Sequence, residues 1–78
     1  MELQEVRSKN IHSMGYDPAN QTLAILFRSK IGGPANLYHY SNVPPEVWAE
    51  FQEASSKGFF FDRFIKPFKD LYPYQRQP

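Results

Sequence analysis

The sequence predicts an α+β domain: a three-stranded antiparallel β-meander, followed by an α-helix and a shorter helical segment packed on one face of the sheet. Two observations carry this. Up to Val43 the apolar residues alternate with a period of two between turn-forming stretches, and beyond it they recur three and four apart. At 78 residues without an internal repeat, the chain has room for one hydrophobic core. Residues 1–78 are therefore read as a single domain, with 1–5 and 74–78 expected as flexible tails.

Each element follows from local chemistry. IHSMGYD forms a first strand and DPANQT a turn, in which Asp17 can accept backbone hydrogen bonds, Pro18 presets φ and Asn20 tolerates a left-handed conformation. TLAILFR alternates Leu23, Ile25 and Phe27 to one face and carries Ala24 and Leu26 on the other, the pattern of a central strand. SKIGGPAN breaks the chain and LYHYSNV forms the third strand, with Tyr38 and Tyr40 on one face and Leu37 and His39 on the other.

The period then changes. Pro45 suits the first turn of a helix, where its missing N–H costs nothing, and Glu46 complements the helix dipole. Val47, Trp48, Phe51 and Ala54 form an apolar stripe, with Trp48 expected to be largely buried between helix and sheet. Gly58 reads as the left-handed residue that closes this helix, and a serine of Ser55-Ser56 as the cap of the next. Phe61, Phe64, Ile65 and Phe68 continue the helical spacing up to Pro67 and are expected to face inward, whereas Phe59 and Phe60 cannot both join that stripe.

Several function classes are disfavoured. Without cysteine there is no disulfide framework and no thiolate metal site. His12 and His39 are the only histidines, and neither has ligand spacing. His39, Asp17 and Ser41 can be sketched as a catalytic set, but no nucleophile-elbow sequence surrounds any serine, and the pair Gly32-Gly33 has no helix start behind it to cradle a phosphate. A non-enzymatic protein without cofactor or metal is the expectation. No apolar run marks a secretory signal or a membrane span, so a cytoplasmic location is expected.

The chain resembles the KTSC domain, a small module of bacteria and phages also found at the carboxyl terminus of lysyl-tRNA synthetase-like proteins. The matching residues are Val6 and Ser8, Gly15-Tyr16-Asp17, Leu23-x-Ile25-x-Phe27, Tyr38-x-Tyr40, Val43-Pro44-Pro45-Glu46-Val47 and Ala54-x-Ser56-x-Gly58. The loop SKIGGPAN is longer than the family's usual turn, and near the end Ile65-Lys66 match while Lys69 stands where a tyrosine is expected, a place Tyr72 can take after an insertion. The resemblance implies a fold and a habit of binding, not a reaction, and its tRNA-enzyme context implies RNA.

Two binding readings follow. In the first, Tyr38 and Tyr40 stack unpaired bases of RNA or single-stranded DNA while Arg28, Lys57, Arg63, Lys66 and Lys69 neutralise phosphates. In the second, phenylalanines and tyrosines left outside the core form a docking patch for a protein partner, as in a phage or bacterial accessory protein. The net charge of +1 favours the second and the family context the first, which ranks slightly ahead.

Overall fold

The computed structural model describes residues 1–78. Five strands form one antiparallel sheet in chain order: β1 (Gln4–Glu5), β2 (Ile11–Asp17), β3 (Thr22–Arg28), β4 (Pro34–Tyr40) and β5 (Tyr74–Gln77). Between β4 and β5 lie α1 (Pro45–Glu53) and α2 (Lys57–Phe60), the latter continued directly by a π-helical turn over Phe61–Ile65. The α+β class, the meander and the two helical segments are as expected, but β4 begins at Pro34, inside the stretch read as loop, and the second helical segment begins at Lys57, before the glycine expected to separate the helices. The sheet has five strands rather than three, because both expected tails carry edge strands. The chain returns after the helices to lay Tyr74 beside Tyr40 and Arg76 beside Tyr38.

One face of the sheet builds the core. A bulge after Ile11 lets Ile11 pair with Phe27 and Met14 with Ile25, so Ile11, Met14 and Tyr16 share a face although their spacing is not a strict two. Leu23, Ile25 and Phe27 of β3, Tyr38 and Tyr40 of β4, and Tyr74 and Arg76 of β5 follow on that same face by register. Ile11, Leu23, Ile25, Val43 and Phe51 are completely buried. At the edge, the N-terminal segment passes over Gly15 so closely that a Cβ there would collide with the Glu2 carbonyl, and the close approach of two backbones requires glycine.

The helices pack with corrections to the expected faces. α1 starts with Pro44 as N-cap and proline in its first turn. Its buried anchor is Phe51, while Trp48 lies on the flank, half-buried, stacked on Tyr16 with ring centroids 5.4 Å apart and edge-on to Phe51 at 6.4 Å. The reason is angular: Phe51 enters the core, Val47 one turn before it packs on the same core, and Trp48, one residue round from Val47, falls beside them.

Phe64 and Phe68 are the second correction. They are 48% and 47% exposed, whereas Phe61 and Ile65 are buried. The Lys66 N–H donates to the Phe61 carbonyl at 2.9 Å, five residues back, and this wider turn places Phe61 and Ile65 on one bearing and rotates Phe64 outward. Phe60 fills the space beside α1 instead, stacked on Phe51 at 5.1 Å.

Gly58 is the third. It has no positive φ and lies inside α2, not at the end of α1. The last carbonyls of α1 are met by the Lys57 ammonium, which donates to Gln52 and Ala54. Ser56 caps α2, its hydroxyl accepting from the Phe59 N–H at 3.2 Å.

Candidate functional site

The meander brings Tyr38 and Tyr40 to the side of the sheet where the chain returns as β5, and the segment after the π-helical turn closes over them. Between these walls lies a groove of about 370 Å³, lined by Phe27, Asn36, Tyr38, Tyr40, Phe61, Lys66, Lys69, Tyr72 and Tyr74. Tyr38, Tyr40 and Tyr74 form a triangle of rings with centroids 5.7–6.4 Å apart. Phe61 meets Tyr40 edge-on at 5.5 Å, and Phe27 meets Tyr38 edge-on at 5.6 Å.

These tyrosines divide their roles by burial. Tyr40 is 6% and Tyr72 8% exposed, so their rings belong to the core, while Tyr74 is half exposed. Tyr40 is thus not the open stacking platform expected of it. Tyr74, beside it on β5, presents the ring that a ligand can reach.

Of the five tyrosine hydroxyls, only that of Tyr16 has a protein partner, the Val43 carbonyl. No buried side-chain oxygen is sealed in without a partner, so the Tyr40 and Tyr72 hydroxyls keep contact with solvent, and both residues line the groove. Burial, followed by the neighbouring Tyr38 and Tyr74 phenols, pushes the Tyr40 phenol well above its ordinary value of 10.0 and keeps it a neutral donor. Burial also raises Tyr16, with smaller contributions from the Glu46 and Asp17 carboxylates.

The expected cations separate into two groups. Lys66 and Lys69 line the groove with Tyr38 and Tyr40. Arg28 lies elsewhere and is engaged by the backbone, donating to the carbonyls of Ser8 (2.8 Å), Gly32 (2.9 Å) and Val6 (3.3 Å). Lys57 holds the end of α1, and Arg63 lies 5.8 Å from the centre of the exposed Phe59 ring. The sequence reading missed Tyr74, Tyr72, Asn36 and Arg76. A signal existed for two of them: Tyr74 and Arg76 are two apart, the spacing of one strand face.

The sketched catalytic set is not assembled. His39 lies on the opposite face of the sheet from the groove, and Asp17 accepts from the Ala19 N–H and the Asn20 amide within its own turn. His12 Nδ1 lies 2.8 Å from the Ser13 hydroxyl, with Ser13 itself buried.

This architecture defines a class: a small antiparallel sheet with its helices on one face and an aromatic groove at the returning strand. The family model described as the KTSC domain matches residues 7–68, and the chain belongs to that family. A solved KTSC domain protein from Yersinia pestis superimposes with a TM-score of 0.84 at 38% identity, covering 99% of this chain and 97% of that one. The chain is also 43% identical over 65 residues to a protein of Tsukamurella paurometabola, covering 83% of this chain and 90% of that one. A lysine–tRNA ligase of Nostoc punctiforme is 39% identical over 56 residues, which are 72% of this chain but 9% of the ligase.

Proposed function

We propose that this domain binds single-stranded nucleic acid, RNA in the first instance, through the Tyr38–Tyr74 groove, and that it acts as a binding module rather than a catalyst. The observation that carries this reading is the convergence of an aromatic floor with Lys66 and Lys69 in one groove, with Arg76 opposite Tyr38 on the same sheet face. Aromatic rings give a sequence-tolerant surface for unpaired bases, and flanking ammonium groups meet phosphates. The similarity to a segment of proteins named lysine–tRNA ligases supports RNA over DNA.

The test is a fluorescence-anisotropy titration with a mixed-sequence oligonucleotide and a tRNA at several salt concentrations. With two to three cations at the groove, log K is expected to change with log[salt] by roughly −1.4 to −2, from about −0.7 per contact. Replacing Lys66 and Lys69 by Gln flattens that slope. Tyr74→Leu weakens binding without altering it, because stacking releases no counterions. Absence of saturable binding at low salt overturns the reading.

A second reading has its own observation: Phe59, Phe64, Phe68 and Leu71 are exposed. Such rings suit a protein interface. It predicts a partner retained at high salt and lost on replacing Phe64 and Phe68 by Ser, with groove variants unaffected.

A further inference from the structure

We infer that the groove accommodates one nucleotide unit, a base with its phosphate, rather than tracking a strand. This rests on the nucleic-acid reading above and adds the size and chemistry of what is held. A volume of about 370 Å³ stands at the small end of the range for ligand pockets and matches the scale of one base with its sugar.

The polar groups are those a single unit requires. Tyr40 and Tyr72 are more than nine-tenths buried, line the groove, and carry hydroxyls that no protein group engages. A neutral phenol can donate and accept, and the Asn36 amide does both, so the walls can meet the edge of a base. Lys66 and Lys69 stand together on the segment that closes the groove, a pair suited to one phosphate.

Two of the cations that a longer phosphate track would draw on are already engaged. Arg28 is bound by three carbonyls and Lys57 by two. Neither is free to continue a track of phosphate contacts away from Lys66 and Lys69. The same chemistry is offered by a free nucleoside 5′-monophosphate and by the 5′-phosphorylated end of a strand.

The test is a competition titration of the intact protein against a labelled short RNA. The competitors are adenosine and uridine 5′-monophosphates, the parent nucleosides, inorganic phosphate, and the same RNA with or without a 5′-phosphate. At least one monophosphate is expected to displace the label with an affinity within about tenfold of the RNA, and the nucleosides and phosphate are expected to be weaker by about tenfold or more. Displacement by a monophosphate while the 5′-phosphate leaves RNA affinity unchanged assigns the groove to the free nucleotide. A gain from the 5′-phosphate assigns it to the strand end.

If the RNA binds but saturating monophosphate does not displace it and the 5′-phosphate changes nothing, the one-nucleotide inference is overturned and the strand-binding proposal stands. If nothing binds, both fall. Competition by inorganic phosphate equal to that by nucleotides reduces the groove to an anion site and also overturns the inference. Tyr40→Phe and Tyr72→Phe keep the rings and remove only the oxygens. Each is expected to lower monophosphate affinity by about threefold to tenfold with the fold retained by circular dichroism. Unchanged affinity in both removes the hydroxyls from the site.

Discussion

The two ends of the core-facing side of the sheet use the same residue type in opposite ways. Over β2, the Tyr16 ring is covered by Trp48 and its hydroxyl is bonded to the Val43 carbonyl. Over β4 and β5, Tyr38, Tyr40 and Tyr74 pack against one another at tilted angles and line a groove, and no protein group bonds their hydroxyls. A tyrosine with a satisfied oxygen ties a helix entry to a sheet. A tyrosine with a free one leaves a donor and acceptor that no protein group uses. The difference teaches that aromatic content by itself does not separate core from site; the hydrogen-bond state of each oxygen does.

The largest effect should come from breaking the closed end at its anchor. Phe51 is fully buried, touching both Trp48 and Phe60, and Phe51→Ala is expected to cost about 3–5 kcal/mol, enough to unfold a domain of this size. Trp48→Ala should cost less, since that side chain is only partly buried. Thermal melts of the two variants check the order, and a greater loss at Trp48 would contradict the packing described here.

Tyr16→Phe against Tyr40→Phe sharpens the comparison directly. The first strips the Val43 carbonyl of its partner and should cost about 1–3 kcal/mol. The second breaks no protein hydrogen bond and should leave urea stability within about 0.5 kcal/mol of the parent. Equal losses would show that the groove hydroxyls are structural.

Alkaline pH provides a third probe. Both Tyr16 and Tyr40 are raised above 10.0, so the folded state favours the neutral phenols. Their contribution is fully present below the unfolded value near 10 and is lost as pH rises through the folded values. Chemical denaturation at stepped pH should therefore show stability falling above about pH 10, with a smaller fall in Tyr40→Phe. A profile identical to the parent's would remove Tyr40 as a source of that loss.

The smallest expected change is at Gly58. A Cβ there would meet Ser8 Oγ at 3.6 Å and Asn10 Nδ2 at 3.7 Å, ordinary contacts, and the backbone is helical. Gly58→Ala should thus be neutral or stabilise by up to about 1 kcal/mol, as alanine does within helices. A clear drop in melting temperature would restore the left-handed cap that the sequence suggests.

These corrections show what was legible in the residues. The alternation of Leu23, Ile25 and Phe27 and the proline-led start of α1 are local signals, and both elements form where those signals stand. The edge strands are not local. Gln4–Glu5 and Tyr74–Gln77 have little apolar pattern and become strands only because β2 and β4 offer unpaired edges. The groove was half legible for the same reason: Tyr38, Tyr40, Lys66 and Lys69 lie in recognised elements, whereas Tyr74 lies in a segment whose structure depends on a distant partner. Phe64 and Phe68 misled because the helical period was carried across a turn that does not keep it.

That turn bears on how the groove is assembled. If the same residues closed four back instead of five, the Phe61 carbonyl would meet the Ile65 N–H and not that of Lys66. Everything downstream would then swing by about 100°, the step of one residue in an α-helix. Lys66 and Lys69 would point elsewhere, with the composition of the chain unaltered. The bearing of both ammonium groups therefore depends on this turn closing five residues back, and a relative one residue shorter here would keep that bearing by closing four back.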